Sequence, residues 1–321
     1  MVLLKQADDK STHIDELERL MTVIPANRKN EVEQELRMMR AGLKGEQESA
    51  YLIDFHMGKS KNTAIIHDLR LKVGDRVAQI DHLLIHRTLN VFVLETKHFH
   101  AGMKITEDGE FLRWNQFKKS YEGMASPLAQ NERHIAVLKE VFDQIEMPKR
   151  LRMRLAPVFH SYILISTSAR IDRPKKFDTS HIIKADMIGK TIDTKFEKEG
   201  VLDTLGGMAR LVSKETVEEI GRQLVALHQP LNVDYSAKFN VQQQKGTEDQ
   251  LQCRACKSVN ISIQYGKYGY YIKCRDCEGN TPIHIGCGQP GHKERIRKDG
   301  LNFYRECAEC QTSSLYFVNS N

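Results

Sequence analysis

Two neighbouring stretches decide the fold: Gln79-Ile80-Asp81-His82-Leu83-Leu84-Ile85 and Asn90-Val91-Phe92-Val93-Leu94-Glu95-Thr96-Lys97. Both are short and apolar, and His86 to Asn90 offers a turn between them, so they read as two strands of a hairpin, the second β-branched enough to be buried. Asp81 and Glu95 lie fourteen positions apart, roughly equidistant from that turn. Residues so placed face one another across an antiparallel pair, which brings two carboxylates to one point. Lys97 follows Glu95 by two positions and projects from the same face of an extended strand. Two carboxylates and a lysine on one sheet face suit phosphodiester hydrolysis. The carboxylates hold Mg²⁺, which stabilises phosphoryl charge and activates water, while the lysine orients the nucleophile or neutralises the transition state. Glu-x-Lys alone is also ordinary on an exposed strand edge. The apolar run Val91 to Leu94 argues against that reading, because charge at the end of a buried strand is costly unless paired or functional.

Outward from this hairpin, Ala64 to Leu71 has strand character. Upstream, Leu17, Leu20, Ile24, Val32, Leu36, Met39 and Leu43 recur at helical spacing over residues 13–55, interrupted near Pro25, and Glu46 to Ile53 continues the period past Gly45. Downstream, after a glycine-punctuated stretch, Pro127 to Ile145 reads as a helix with proline in its first turn, Val158 to Ile165 as a strand, and residues 200–228 as mostly helical. The alternation is α/β with a mixed central sheet. Residues 229–248, with the polar run Gln242 to Gly246, read as a linker. The expected organisation is therefore an N-terminal helical segment (1–41), an α/β domain (42–228), the linker (229–248) and a cysteine-bearing domain (249–321).

The chain has 321 residues, 40% hydrophobic and 28% charged, enough apolar content for a sizeable core and against disorder. No apolar run approaches the ~18 residues of a membrane span. Met1 to Lys10 is charged where a signal peptide is apolar, so a cytoplasmic protein with no membrane partner is expected. Net charge is 48 − 42 = +6, which permits a nucleic-acid partner without requiring one.

All seven cysteines lie between Cys253 and Cys310, an odd count at one end that argues against a general disulfide framework. Cys253-Arg254-Ala255-Cys256 and Cys274-Arg275-Asp276-Cys277 are two CxxC knuckles seventeen residues apart, the spacing of a zinc ribbon. A hairpin turning near Lys267 is expected between them. Cys287, Cys307 and Cys310 form a second half that needs a fourth ligand. His292 is preferred, although His284 has the tidier knuckle spacing, so about two Zn²⁺ are expected. The functional reading of the ribbons stacks bases on Tyr265, Tyr268, Tyr270, Phe303 and Tyr304 and sets Arg295, Arg297 and Lys298 on phosphates; the alternative packs those aromatics within the ribbon.

From Gly42 to about Val141 the chain resembles the nuclease-related domain (NERD) family of the PD-(D/E)XK phosphodiesterase superfamily. The resemblance rests on Lys44-Gly45-Glu46, Gln79-Ile80-Asp81-His82, Val93-Leu94-Glu95-Thr96-Lys97, Gly102, Trp114 and Pro127-Leu128-Ala129-Gln130, in the family's order. It implies a restriction-endonuclease-like core in which Asp81, Glu95 and Lys97 are the metal-and-lysine triad. It also implies that Glu46 is the helical acidic residue completing the triad and that Gln130 is a substrate-positioning glutamine. Glu48 lies on the same helix, and Glu46 is favoured because it shares a face with Ala50 and Ile53. His82, His86, His98 and His100 crowd the region without the i, i+4 spacing of a metalloprotease helix. The expected function is a nuclease using Mg²⁺ or Mn²⁺, acting on DNA, with zinc ribbons assisting binding. The alternative is a non-catalytic nucleic-acid-binding or scaffold protein that retains the nuclease fold.

Overall fold

The computed structural model describes residues 2–58, 60–99, 102–116, 118–202, 210–239, 251–287 and 289–319. His100 and residues 240–248 of the expected linker lie outside the described residues. In chain order the helices are α1 (Ser11–Val23), α2 (Lys29–Met57), α3 (Pro127–Gln144), α4 (Ile188–Leu202), α5 (Lys214–Ala226) and α6 (Tyr235–Lys238). The strands are β1 (Val2–Lys5), β2 (Thr63–Val73), β3 (Arg76–His86), β4 (Asn90–Lys97), β5 (Gly102–Ile105), β6 (Phe111–Asn115), β7 (Ser120–Met124), β8 (Lys149–Arg150), β9 (Met153–Arg154), β10 (Val158–Ile165), β11 (Arg170–Asp172) and β12 (Ile182–Lys184). They continue with β13 (Ile261–Gly266), β14 (Gly269–Cys274), β15 (Asn280–Pro282), β16 (Glu294–Asp299), β17 (Asn302–Cys307) and β18 (Thr312–Val318). The chain divides into one unit of Met1–Lys10 with Met38–Asn232 and another of Ser11–Arg37 with Val233–Asn321.

The first unit is built on a mixed six-stranded sheet of order β1-β2-β3-β4-β10-β12. β2, β3 and β4 are antiparallel neighbours, whereas β1, β10 and β12 join in parallel. Helices cover both faces. Val91 and Val93 of β4 pack with Leu138 and Val141 of α3 and Ile220 of α5. Phe92 and Leu94 turn the other way, toward Ile53 of α2 and Ile188 of α4. A strand buried on both faces needs apolar residues at every position, which is why Val91 to Leu94 is an unbroken run. Residues 2–5, ahead of the helical reading over 13–55 but inside the expected segment 1–41, form the edge strand β1: three apolar residues cannot carry a helical stripe but suffice to pair with β2. The glycine-punctuated stretch holds strands that its short, weakly alternating segments do not announce. β5, β6 and β7 join β11 in a four-stranded sheet whose Met103, Ile105 and Phe111 pack on Ile163 and Ile165.

The β2–β3 ladder contains an irregularity. Ile66 pairs with Leu83, His67 with His82, and then Leu69 with Ile80, leaving Asp68 and Asp81 between successive pairs. Ile66, Leu69, Ile80 and Leu83 all enter the same core. Residues three apart on a regular strand point to opposite faces, so each strand carries one extra residue here and the pleat changes phase. Asp68 absorbs its share with φ +54°, in the left-handed region that aspartate tolerates better than most residues.

The second unit holds α1, α6 and two three-stranded antiparallel sheets, β13-β14-β15 and β16-β17-β18. Leu17 and Leu20 of α1 and Tyr235 of α6 are buried. The side chain of Asn319 ties the two sheets, accepting from the Ile263 N–H at 2.8 Å and donating to its carbonyl at 2.9 Å. The hairpin expected near Lys267 is β13–β14, turning at Lys267 and Tyr268.

Candidate active site and candidate metal centres

The β3–β4 register runs from Ile85↔Val91 to His82↔Leu94, and one further step sets Asp81 opposite Glu95. Asp81 Oδ2 accepts the Thr96 N–H at 2.7 Å, which ties the two strands where the ladder ends. Glu95 is 3% exposed; its Oε1 accepts from Lys97 Nζ at 2.7 Å and from Gln130 Nε2 at 2.8 Å. Lys97 Nζ also donates to Gln130 Oε1 at 3.0 Å, closing a three-membered ring of hydrogen bonds. Gln130 reaches this point from the first turns of α3, which Ser126 caps by accepting the Ala129 N–H and Pro127 opens.

The electrostatics are those of crowded carboxylates. Burial pushes Asp81 well above the usual carboxylate range, reinforced by the charges of Glu95 and Glu46 and only partly opposed by the Thr96 N–H and Lys97. Burial also raises Glu95, against Lys97 and Gln130, with Glu46 adding to the rise. Glu95 Oε2 is buried without a hydrogen-bond partner. His134, one turn beyond Gln130 on α3, places Nδ1 3.6 Å from that oxygen, too far for a hydrogen bond. Burial, then Lys97 and Arg133, hold His134 down at about 4, so it is neutral at pH 7. Its i+4 spacing from Gln130 was the signal in the sequence that could have found it.

Glu46 and Glu48 have different surroundings. Glu46 lines a cleft of about 480 Å³ with Asp81, Asp68 and Asp54, whereas Glu48 accepts a hydrogen bond from Thr167 Oγ1 at 2.8 Å. Gly45 permits this placement of α2, since a Cβ there would lie 2.8 Å from the His98 Cβ at the end of β4. Lys10 enters the same cleft, 2.7 Å from Glu46 Oε2 and 3.7 Å from Asp68 Oδ2. Nothing in the sequence around Lys10 marks it.

His82 is buried against His67, Nδ1 to Nδ1 at 2.8 Å, and its Nε2 meets Thr96 Oγ1 at 3.2 Å. His67 Nε2 meets Asp54 Oδ1 at 3.2 Å. His86 bonds Thr88 Oγ1 at the hairpin turn.

In the second unit two groups of side chains could hold a metal ion: Cys253, Cys256, Cys274 and Cys277, and Cys287, His292, Cys307 and Cys310. Within each group the ligand atoms all lie within 4.8 Å of one another, and among the described residues these are the groups of that compactness. Asp81, Glu95 and Glu46 are more open. Cys253 and Cys277 sulfurs are 3.4 Å apart, Cys256 and Cys274 3.6 Å, and Cys287 and Cys310 3.8 Å. A tetrahedron with Zn–S arms of about 2.3 Å has an edge of about 3.8 Å, close to these separations. Backbone N–H groups of Cys256 and Ala255 hold the Cys253 thiol down at about 6, toward the thiolate a metal needs. The structure brings His292, not His284, to the second group, with Nδ1 3.1 Å from Cys310 Sγ.

The aromatic and basic residues of this unit divide. Tyr265 and Tyr268 are 73% and 93% exposed, and Lys267 Nζ lies 5.3 Å from the Tyr268 ring centroid. Phe303, expected as a possible stacking residue, is buried and meets Tyr270 edge-on at 5.6 Å; hydrophobic burial claims it for the core. Arg297 is held by Glu306 at 2.5 Å, reaches Asp299 at 3.4 Å and lies over the Tyr304 ring, so its charge is already partnered.

Among the described residues no helix is long and apolar enough to cross a membrane. No curated protein and no solved structure matches the chain. Residues 41–166, which carry Glu46, Asp81, Glu95, Lys97 and Gln130 but neither Lys10 nor any cysteine, match the nuclease-related domain family.

Proposed function

We propose that the protein is a metal-dependent nuclease of restriction-endonuclease-like fold, hydrolysing phosphodiester bonds in DNA, with zinc ribbons that assist nucleic-acid binding. The observation that carries this reading is the Glu95–Lys97–Gln130 ring opposite Asp81, inside the segment similar to nuclease-related domains.

The residues fit a divalent cation. Glu95 Oε2 is a buried acceptor without a donor, and Asp81 and Glu95 repel each other in a site that a cation would neutralise. Mg²⁺ keeps several waters and needs only one or two protein carboxylates, so Asp81 and Glu95 are enough to hold it. Bound there, Mg²⁺ or Mn²⁺ supplies phosphoryl charge stabilisation and activation of water. Lys97, pinned by Glu95 and Gln130, directs its ammonium toward the same point and offsets charge that grows on the phosphoryl oxygens. Gln130 keeps the lysine on that axis and can turn toward substrate. Glu46 completes the carboxylate set from α2.

Zn²⁺ fits both cysteine groups by donor type and spacing, and holding small sheets folded is a sufficient role for it. Exposed Tyr265 and Tyr268 supply stacking surface. The domain limits 42–228 and 249–321 and a reducing cytoplasmic location belong to this proposal.

The test is incubation of purified protein with plasmid DNA, linear DNA and RNA in Mg²⁺, Mn²⁺ or EDTA, with Asp81→Asn and Glu95→Gln beside the wild type. Metal-dependent DNA cleavage that both variants lose is expected. DNA binding with no cleavage under any condition would leave the non-catalytic reading in its place.

A further inference from the structure

Glu46 of α2, Asp68 of β2 and Asp81 of β3 line one cleft, and Glu95 of β4 stands close enough to Asp81 for their charges to oppose each other. Lys97 partners the Glu95 side. The opposite side is partnered by Lys10, whose side chain is 22% exposed, in contact with Glu46 and close to Asp68. The segment that delivers Lys10 is fastened to the strand irregularity itself. Lys5 Nζ donates to the carbonyls of His67 and Asp68 at 3.2 and 2.9 Å and to Asp8 Oδ1 at 2.7 Å. The Asp8 N–H donates to Asp68 Oδ2 at 3.1 Å, and Asp8 Oδ2 meets His228 Nε2 at 2.9 Å. Lys10 is therefore held in place rather than free to sweep through solvent.

We propose that the Lys10 ammonium takes the position a second metal ion would occupy, so that the site binds one divalent cation. This rests on the metal-dependent reading above. Two-metal hydrolases hold their ions ~3.5–4 Å apart between bridging carboxylates. Here the Glu46–Asp68 side, where a second ion would sit, is closed by Lys10. The Asp81–Glu95 side keeps the buried, donorless Glu95 Oε2 for the ion that does bind.

The experiment counts Mn²⁺ bound to the zinc-loaded full chain by electron paramagnetic resonance and calorimetry, for wild type, Lys10→Met, Lys10→Arg and Asp81→Asn. One Mn²⁺ that Asp81→Asn loses is expected in wild type and in Lys10→Arg. Lys10→Met should bind two, or bind the first at least ~10-fold more tightly. Two Mn²⁺ in wild type would overturn the inference without any variant, and so would a folded Lys10→Met protein that binds one with unchanged affinity. In both cases the metal-dependent reading stands. Wild type that binds no Asp81-dependent Mn²⁺ overturns both.

Discussion

Gly42 and Gly45 lie one turn apart on α2 and offer a matched test of how that helix is set against the end of β4. Replacing a mid-helix glycine with alanine stabilises by about 0.5–1 kcal/mol through backbone entropy. At Gly42 nothing opposes this, since the new Cβ would have only Glu46 Oε1 within reach, at 3.9 Å. At Gly45 the Cβ would stand 2.8 Å from the His98 Cβ. Carbon atoms rest at about 3.5–4.0 Å, so α2 and the β4 end must part by roughly 0.7–1.2 Å, and overpacking of this kind costs about 1–3 kcal/mol. The entropy gain is common to both variants, so their difference isolates the packing cost. For a unit of this size 1 kcal/mol corresponds to about 2–4 °C. Gly42→Ala should melt about 1–4 °C above wild type, and Gly45→Ala below Gly42→Ala by about 2–12 °C. Because the displaced helix carries Glu46, and misplacement by 1 Å can cost ~10²-fold in rate, Gly45→Ala should also lose most plasmid cleavage, whereas Gly42→Ala keeps it. Circular dichroism melting and initial rates of plasmid nicking measure both. A Gly45→Ala protein as stable as Gly42→Ala and fully active would show that the Gly45–His98 contact does not position α2.

Asp81→Asn, Glu95→Gln and Lys97→Ala should each fold and lose at least ~10²-fold in hydrolysis; full activity at unchanged melting temperature removes that residue from the mechanism. Elemental analysis should find about two zinc ions per chain, with His292→Ala losing one and His284→Ala none; the reverse result would exchange the two histidines. Burial and Arg87 hold His86 down at about 4 in the folded chain, against 6.5 in the unfolded one. A lowered histidine contributes stability that is present above 6.5 and lost as pH falls toward 4, so His86→Gln should flatten that acid limb by up to about 1.4 kcal/mol per pH unit; an unchanged slope would mean His86 titrates normally. Truncating Tyr268 to alanine should weaken oligonucleotide binding by about 1–3 kcal/mol with little change in salt slope; unaltered affinity would make the ribbon a stabiliser or a protein-docking module.

The hairpin that brings Asp81 and Glu95 together was legible because two features agree, apolar runs on either side of a turn and carboxylates equidistant from it. Lys97 followed from strand alternation, and the cysteine groups from knuckle spacing. Lys10 was not legible. It reaches Glu46 through an edge strand of four residues pairing with β2 some sixty positions away, and no local pattern encodes a pairing that distant. Phe303 and Arg297 looked available for nucleic acid because residue type does not report burial or a partner across the sheet. The strands between Gly102 and Met124 escaped because their half-exposed segments alternate weakly.

Asp68 and Asp81 are also coupled as a matter of heredity. Losing the codon for one alone would turn one strand's remaining residues to the wrong side, for β2 sending Leu69 and Leu71 out of the core at about 1.5–3 kcal/mol each. Losing both restores plain alternation, with His67 opposite His82 and then Leu69 opposite Ile80. A lineage could therefore delete the two positions only together, since either single deletion is worse folded than both endpoints. The paired insertion acts as a ratchet: once present it shields position 81 from deletion, though not from substitution, and its double deletion would leave an inert twin of the same fold.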